Sequence, residues 1–252
     1  MSVAAIIDSH VYLGESIFGW GVDADELIAR LEAAGVSRAV AVPVKPRGYH
    51  LGPENDRVAA AQRAYPDRIR GFARVDANLG ADAVEEAERA LGQLGLHGLF
   101  LHPGEEQYRV SAPLLDPLME VARRRGVPVI VATGYPYVSE SLQVADLARR
   151  FPDVQIVMTN GGQLNLSGLG QTDAELALEL CPNLSLQTAG VYREDFIEGC
   201  VARFGADRVL YASSCPLMEP RLEVKRIQWA PNLADDQRAL MLTGNAERIL
   251  WR

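Results

Sequence analysis

The sequence predicts an α/β protein that folds as a single (β/α)8 barrel over residues 1–252. Eight short apolar runs recur along the chain, and segments with helical periodicity separate them. Successive runs lie about 30 residues apart, the size of one strand–helix unit, and about 250 residues is the usual length of such a barrel. Because no shift in composition marks a linker, we expect one domain.

The eight predicted strands lack clear polar alternation and are often β-branched, as expected of parallel strands buried on both faces. In chain order they span residues 4–7, 39–43, 69–75, 98–101, 128–132, 155–159, 184–187 and 209–212. Their alternation with helices implies a parallel sheet with right-handed crossovers. An open doubly wound sheet is the alternative, but Gly92, Gly95 and Gly98 do not have the spacing of a dinucleotide-binding fingerprint.

Amphipathic segments between the strands predict the outer helices. The first ends at Gly35 and has Asp23 as its N-cap, with Glu26 three residues on as in a capping box. Several others begin at Pro, Asp, Ser or Thr and end at Gly. They span residues 53–65, 82–94, 113–126, 141–151, 172–180, 194–205, 234–242 and 245–251.

Charge and composition narrow the class of protein. The formal net charge is −8, and the only basic run, residues 123–125, precedes helix-stop residues and predicts a solvated helix end. A general nucleic-acid or anionic-membrane binder would carry a basic face, so neither partner is expected. No apolar run approaches about 18 residues and no secretory leader is visible. We therefore expect a soluble, cytoplasmic protein whose three cysteines are free thiols.

The active site of a (β/α)8 barrel forms at the C-terminal ends of its strands. Polar groups near those ends come from Asp8, His10, Tyr12, Lys45, Arg74, Asp76, His102, Glu105, Tyr108, Thr133, Tyr135, Tyr137, Asn160, Gln187, Ser213, Ser214 and Cys215. Only His10 and His102 are good metal-ligand candidates among the four histidines. His50 lies in a loop that could reach the barrel mouth, and His97 precedes the fourth strand and should lie at the bottom of the barrel. A catalytic zinc uses three protein ligands, so we predict no metal and no other cofactor.

Seven stretches of the sequence resemble signatures of the amidohydrolase superfamily, specifically its amidohydrolase-2 branch of metal-dependent hydrolase and decarboxylase barrels. They are IDSHVYLG (7–14), YPDRIRGFARVD (65–76), GLFLHPG (98–104), VPVIVATG (127–134), LARRFPDVQIVMTNGG (147–162), DRVLYASSCP (207–216) and GNAERIL (244–250). They occur in the family's order along nearly the whole chain. The resemblance implies a TIM barrel that takes a small-molecule substrate and forms a homodimer.

The resemblance also implies where a metal would bind, and most of those positions carry other residues. His10 keeps the first ligand of the first strand, whereas Tyr12 replaces the second. Ala132 and Asn160 stand where the family has histidines, and Ser214 stands where it has an aspartate. We therefore interpret the site as one that has lost its metal centre.

We expect His10, Tyr12 and His102 to be catalytic. A histidine titrates near 6.5 and a tyrosine near 10, so the first suits a general base and the second a proton donor. The expected substrate contacts are Thr133, Tyr135, Asn160, Gln187 and Ser214. The prediction is a metal-independent enzyme that acts on a small organic acid, lactone or aromatic compound, as a lyase, isomerase, cyclase or lactone hydrolase.

Two other functions fit the same residues. One is a non-catalytic homologue that binds a small molecule or partners an active homologue. The other is a residual metal-dependent hydrolase that uses His10, Tyr12 and His102. Structural roles are the simpler alternatives: a His10–Tyr12 pair that fills the former metal cavity, an inert buried Cys215, and a solvated loop at residues 105–106.

Overall fold

The computed structural model describes residues 5–164 and 168–251. Its strands are β1 (Ile6–Glu15), β2 (Gly21–Val22), β3 (Val36–Pro43), β4 (Ile69–Gly71), β5 (Ala73–Arg74), β6 (Leu99–Leu101), β7 (Val129–Val131), β8 (Ile156–Met158), β9 (Leu184–Gln187) and β10 (Val209–Leu210). β4 and β5 are two parts of one barrel strand, interrupted at Phe72. All eight predicted strands are therefore present, although Ala4, where the first was predicted to begin, lies outside the described residues.

Backbone hydrogen bonds close these strands into a parallel barrel. β1, β3 and β4 pair in that order, β5 to β10 form a second parallel run, and the short β2 pairs antiparallel with β1. At one junction the Phe72 N–H donates to Ala41 O at 2.9 Å; at the other, the Ser9 N–H donates to Tyr211 O at 3.1 Å. The predicted fold class, an α/β barrel, is confirmed.

Helices cover the outside of the barrel. They are α1 (Ala24–Ala33), α2 (Leu51–Ala64), α3 (Ala81–Gly92), α4 (Pro103–Glu106), α5 (Asp116–Arg125), α6 (Ser141–Arg150), α7 (Gly168–Leu180), α8 (Glu194–Phe204), α9 (Pro220–Trp229), α10 (Asp235–Ala239) and α11 (Asn245–Leu250). Asp23 caps α1 as predicted, because its carboxylate accepts from the Glu26 N–H at 2.9 Å. α4 and α9 were not predicted, and α10 joins α11 through a π-helical turn, Leu240–Gly244.

Apolar side chains fill the barrel interior, so the barrel is a packed core and not a pore. The inner cluster comprises Ile7, Tyr12, Val40, Val42, Val44, Phe72, Phe100, Ile130, Ala132, Val157, Leu210, Ala246, Ile249 and Leu250. α11 supplies the last three and packs against β1 and β10. Gly98 permits close packing at the start of β6, because a Cβ there would overlap the Phe72 ring. The interior therefore offers no room for a ligand, and the C-terminal ends of the strands are where barrel active sites form.

Three further sequence expectations concern the outside of the barrel. Cys181, Cys200 and Cys215 are buried free thiols. The basic run at residues 123–125 is exposed, and Glu88 of α3 pairs with two of its arginines. Within residues 5–164 and 168–251, no helix has the length and apolar character needed to cross a membrane.

Candidate active site

The strand ends bring the three predicted catalytic residues together around one phenylalanine. Phe100 lies at the barrel mouth on β6 and is fully buried. The ring centroids of His10 and Tyr12 are 4.7 Å apart, and those of His10 and Phe100 are 5.2 Å apart. His102, two residues beyond Phe100, has its ring 5.8 Å from it. Two imidazoles and a phenol thus share one small region where barrel enzymes act.

His10 is held between β1 and the segment that follows β10. Its carbonyl accepts from the Ser214 N–H at 2.9 Å, and Ser214 Oγ lies 3.4 Å from His10 Nδ1. Ser214 has a φ of 54°, a left-handed conformation that is uncommon outside glycine. His10 Nε2 is buried without a hydrogen-bond partner among the described residues. Burial, then the Arg74 charge, lower the pKa of His10 from 6.5 to about 3, although the Gln187 side chain opposes the shift.

Asp8 ties the two segments together behind His10. One carboxylate oxygen accepts from the Ser213 N–H at 2.9 Å and from the His10 N–H at 3.2 Å. The other lies 3.3 Å from the Tyr211 hydroxyl, which also lies 3.2 Å from Pro220 O. One hydroxyl hydrogen cannot serve both acceptors, so making both bonds requires a proton on Asp8. Burial raises the pKa of Asp8 to about 7, against the lowering effect of these hydrogen bonds.

His102 caps α4, and this fixes which ring nitrogen carries its proton. The Glu105 N–H donates to His102 Nδ1 at 3.1 Å, so the neutral ring must carry its hydrogen on Nε2. That nitrogen lies 3.4 Å from the Tyr135 hydroxyl and 3.5 Å from a carboxylate oxygen of Glu105. Burial, followed by the positive charge of Arg74, lowers the pKa of His102 well below 6.5. His102 is therefore a neutral ring that presents a donor to the site.

Tyr12 packs as part of an aromatic cluster. Its ring lies 5.3 Å from Trp20 and 5.9 Å from Phe100, and only 7% of the residue is exposed. Burial raises the pKa of the Tyr12 hydroxyl, and the nearby Tyr135 raises it further. The phenol is therefore protonated at physiological pH, the state required of a proton donor.

Two of the predicted substrate contacts already have protein partners. Thr133 donates its hydroxyl to Thr159 O, and its N–H donates to Thr159 Oγ1 at 3.0 Å, so both groups join neighbouring strands. The Gln187 amide nitrogen donates to Ser9 O at 2.9 Å and to Ser9 Oγ at 3.0 Å. Gln187 Oε1 is buried with no hydrogen-bond partner in the described chain, and the Gln187 side chain favours the protonated form of His10.

Two of the other three predicted contacts lie nearer the solvent. Asn160 is half-buried at the start of a 3-10 turn after β8, with a φ of 53°. Tyr135 is half-buried with its ring 5.1 Å from that of His102, and burial raises its pKa to about 12. Ser214, beside His10, is buried. Tyr135 therefore connects the buried rings to the surface, and Asn160 is the other half-buried member of the predicted set.

A buried charged group borders the site, and residues 105–106 are not the solvated loop that the sequence suggested. Arg74, fully buried at the end of β5, donates to Glu105 at 2.5 Å and to Glu106 at 2.7 Å. Lys45 Nζ lies 3.1 Å from the same Glu106 oxygen. We call these four residues the Arg74 cluster. Burial raises the pKa of Glu106, against the opposing charges of Arg74 and Lys45.

Three other candidates from the sequence take no part in the ring cluster. Tyr137 is exposed, and His97, which precedes β6, pairs with Arg70 at the opposite end of the barrel. Cys215 is buried, and burial raises the pKa of its thiol to about 12. A thiol in that state is a poor nucleophile, which favours the structural role over the catalytic one.

The residues at the positions that the family resemblance assigns to metal ligands do not fit a catalytic metal. Zinc needs several His, Asp, Glu or Cys donors within one small sphere. Among the described residues, no group of three such side chains is arranged to hold a metal ion. Ala132 offers no donor, and Ser214 and Asn160 offer only neutral oxygens. His10 is therefore left without the partners that a metal centre would require.

The chain matches known proteins in both sequence and structure. A sequence family described as Amidohydrolase matches residues 21–251, a range that begins after β1. No curated protein matches the sequence significantly. Among solved structures, an uncharacterized TIM-barrel protein from Bordetella bronchiseptica superposes with a TM-score of 0.80 at 21% identity, over 98% of each chain.

Two decarboxylases superpose comparably. The 5-carboxyvanillate decarboxylase from Sphingomonas paucimobilis gives a TM-score of 0.76 at 16% identity, over 99% of each chain. The enzyme of the same name from Novosphingobium aromaticivorans, complexed with manganese and 4-hydroxy-3-methoxy-5-nitrobenzoic acid, gives 0.75 at 15% identity, over 97% of this chain and 95% of the other. At these identities the likeness establishes the fold.

Proposed function

The chain belongs to the amidohydrolase family, and we propose that within it this protein is an enzyme that works without a metal centre. Its substrate is a small organic acid, lactone or aromatic compound, and His10, Tyr12 and His102 transfer the protons. The nitrobenzoic acid bound to the manganese-containing relative supports a small aromatic acid as the ligand class. A homodimer, in line with the family resemblance, is part of the proposal.

One observation carries this proposal: the proton on His102 is fixed on the nitrogen that faces Tyr135. Its Nδ1 is occupied by the Glu105 N–H, so Nε2 presents the hydrogen beside Tyr135. A neutral imidazole next to a helix N-terminus can donate to a substrate oxygen without carrying a charge itself. His102 and Tyr12 are then the donors, and a developing oxyanion is what they stabilise.

His10 is the acceptor in this scheme. Abstraction by the unpartnered Nε2 requires the hydrogen of the neutral ring to sit on Nδ1, where it points at Ser214 Oγ, 3.4 Å away. The imidazolium so formed lies near Arg74, whose charge disfavours it. The negative charge that develops on the substrate must offset that cost. Proton transfer therefore suits substrates that gain negative charge as the proton leaves, such as phenols and enolisable acids or lactones.

The same residues do not suit amide hydrolysis. A catalytic metal lowers the pKa of bound water from about 15.7 to about 7, and the described residues include no group of three ligands suited to holding one. With Ser214 at the strand-eight position, that strand supplies no carboxylate base to replace it. Lyase, isomerase, cyclase and lactone-opening chemistry fit the residues better.

The test is a proton-transfer assay that does not depend on knowing the full reaction. Chelator-treated protein is incubated in D2O with a panel of small carboxylic acids, phenols and lactones, while NMR follows C–H exchange and product formation. We expect exchange or turnover with at least one compound and a fall of about 10²–10⁴-fold in His10→Ala and Tyr12→Phe. Tyr137→Phe, at an exposed tyrosine, is the matched control. Unchanged rates in His10→Ala would remove the proposed base.

The burial of the site favours a second candidate, a non-catalytic member that binds a small molecule. His10 and His102 are each 1% exposed, and Tyr12 and Phe100 belong to the packed inner cluster. Saturable binding of panel compounds, with no exchange or product in the same assay, would support this candidate over the first.

A further inference from the structure

The Arg74 cluster holds one more cation than its buried carboxylate can neutralise. Lys45 and Arg74 supply two positive charges, with 5% and 0% of their side chains exposed. Both bind the same oxygen of Glu106, whose side chain is also fully buried. The remaining positive charge is met by Glu105, which has 16% of its side chain exposed. Glu105 is thus the most exposed of the four charged side chains.

The Glu105 carboxylate lies among hydrogen-bond donors, as the carboxylate of a bound ligand would. One of its oxygens accepts from Arg74 Nη2 at 2.5 Å, and the other lies 3.5 Å from His102 Nε2. The Tyr135 hydroxyl is 3.4 Å from that same nitrogen. A guanidinium and an imidazole nitrogen therefore converge on this carboxylate, and a phenol lies beside the imidazole. These are the donors expected for a bound carboxylate.

The receptor side of this arrangement is rigid. Asn55 of α2 bonds both backbone groups of Arg74, at 2.8 Å to its N–H and at 3.0 Å to its carbonyl. Arg74 Nη1 donates to Pro43 O at 3.2 Å, and the guanidinium lies 5.5 Å from the Phe100 ring. Arg74 Nε is buried with no partner in the described chain. Because Arg74 is already held in place and has an unused N–H donor, exchanging the Glu105 carboxylate for that of a ligand costs little free energy.

We propose that Arg74, His102 and Tyr135 form a carboxylate subsite that the chain's own Glu105 occupies, and that the carboxylate of a small organic acid displaces it. The inference rests on the proposed function for the class of substrate. The subsite is where the acid group of the ligand binds. It is closed in this structure because Glu105 occupies it, and Glu105 must move toward solvent before a ligand enters. The bound acid then lies beside the aromatic rings of Phe100 and Tyr12.

Benzoate binding to charge variants tests this subsite. Calorimetry in chloride-free buffer compares the wild type with Glu105→Gln, which removes the internal charge, and with Glu105→Ala, which also vacates the space. Benzamide serves as the neutral analogue. We expect benzoate to bind Glu105→Gln at least about tenfold more tightly than wild type, and Glu105→Ala at least as tightly. Benzamide gains nothing in either variant.

The control is Glu120→Gln on α5, which removes a carboxylate from an exposed pair with Arg123 and should bind benzoate like the wild type. Adding Arg74→Lys to the Glu105→Gln protein should abolish the gain, because lysine cannot reproduce the guanidinium geometry. Equal benzoate affinity in wild type and both Glu105 variants, or an equal gain for benzamide, would overturn the subsite. Binding is measured without turnover, so that result would not contradict the proton-transfer proposal. Conversely, a protein that shows the expected affinities but no activity would support the subsite and contradict the proposed function.

Discussion

His102 combines two roles that a single substitution can separate. Its ring caps α4 through Nδ1 and presents a hydrogen at Nε2. Asparagine is among the best N-cap residues but has no imidazole to transfer a proton. We predict that His102→Asn keeps the free energy of unfolding within about 1 kcal/mol and lowers turnover by about 10²–10⁴-fold. Chemical denaturation and the D2O assay measure the two effects, and an active His102→Asn protein would contradict the donor role.

His10 predicts an unusual pH dependence of activity. Its pKa lies at about 3 in the folded protein, so the ring is already neutral at pH 5 and above. We therefore expect no ionisation of His10 to appear in the rate between pH 5 and 9. A matched profile of His10→Ala, measured on its residual rate, serves as the control. An inflection near 6.5 that disappears in His10→Ala would show that the ring is not buried as described.

The same residue affects stability in a defined pH range. Between about pH 3 and 6.5 the unfolded chain binds a proton at His10 and the folded protein does not. The contribution of the neutral ring to the free energy of unfolding is therefore fully present above pH 6.5 and declines as the pH falls toward 3. We predict that wild type loses stability relative to His10→Asn as the pH drops from 7 to 4. A constant difference across that range would contradict the buried, neutral ring. Comparing two variants removes the effect of Asp8, whose raised pKa acts in the opposite direction.

At the scale of elements, β6 depends on the absence of a side chain at Gly98. A Cβ there would overlap the Phe72 ring inside the barrel, and overpacking of this kind costs about 1–3 kcal/mol. Gly98→Ala should therefore lower the unfolding free energy by that amount. Gly199→Ala on exposed α8, where a Cβ meets nothing, should raise it by about 0.5–1 kcal/mol. Thermal and urea unfolding of both variants check the pair; equal effects would contradict the packing described here.

The sequence predicted those strands and helices whose burial leaves a regular pattern of apolar residues along the chain. Parallel strands covered on both faces are continuous apolar runs, so all eight were predictable. α9 was missed although Pro220 follows the capping residue Glu219, because its buried face is narrow and includes Glu223 among charged neighbours. α4 has only four residues, too few for a periodic pattern.

At the scale of the whole molecule, the convergence of rings at the strand ends followed from the barrel topology, but their charge environment did not. The sequence suggested that residues 105–106 are a solvated acidic pair. Their burial depends on Arg74 and Lys45, which lie 31 to 61 positions away in sequence. Long-range ion pairing of this kind has no local signature. The lowered pKa of His10 has the same origin, because it depends on burial and on Arg74.

The most direct test of the account is turnover by protein from which metal has been removed. Elemental analysis fixes the metal content before and after chelation, and the D2O assay measures the rate on both samples. We predict less than stoichiometric zinc or manganese in the purified protein and equal rates before and after chelation. Loss of activity on chelation, restored by one zinc or manganese per chain, would contradict a site built on His10, Tyr12 and His102 alone.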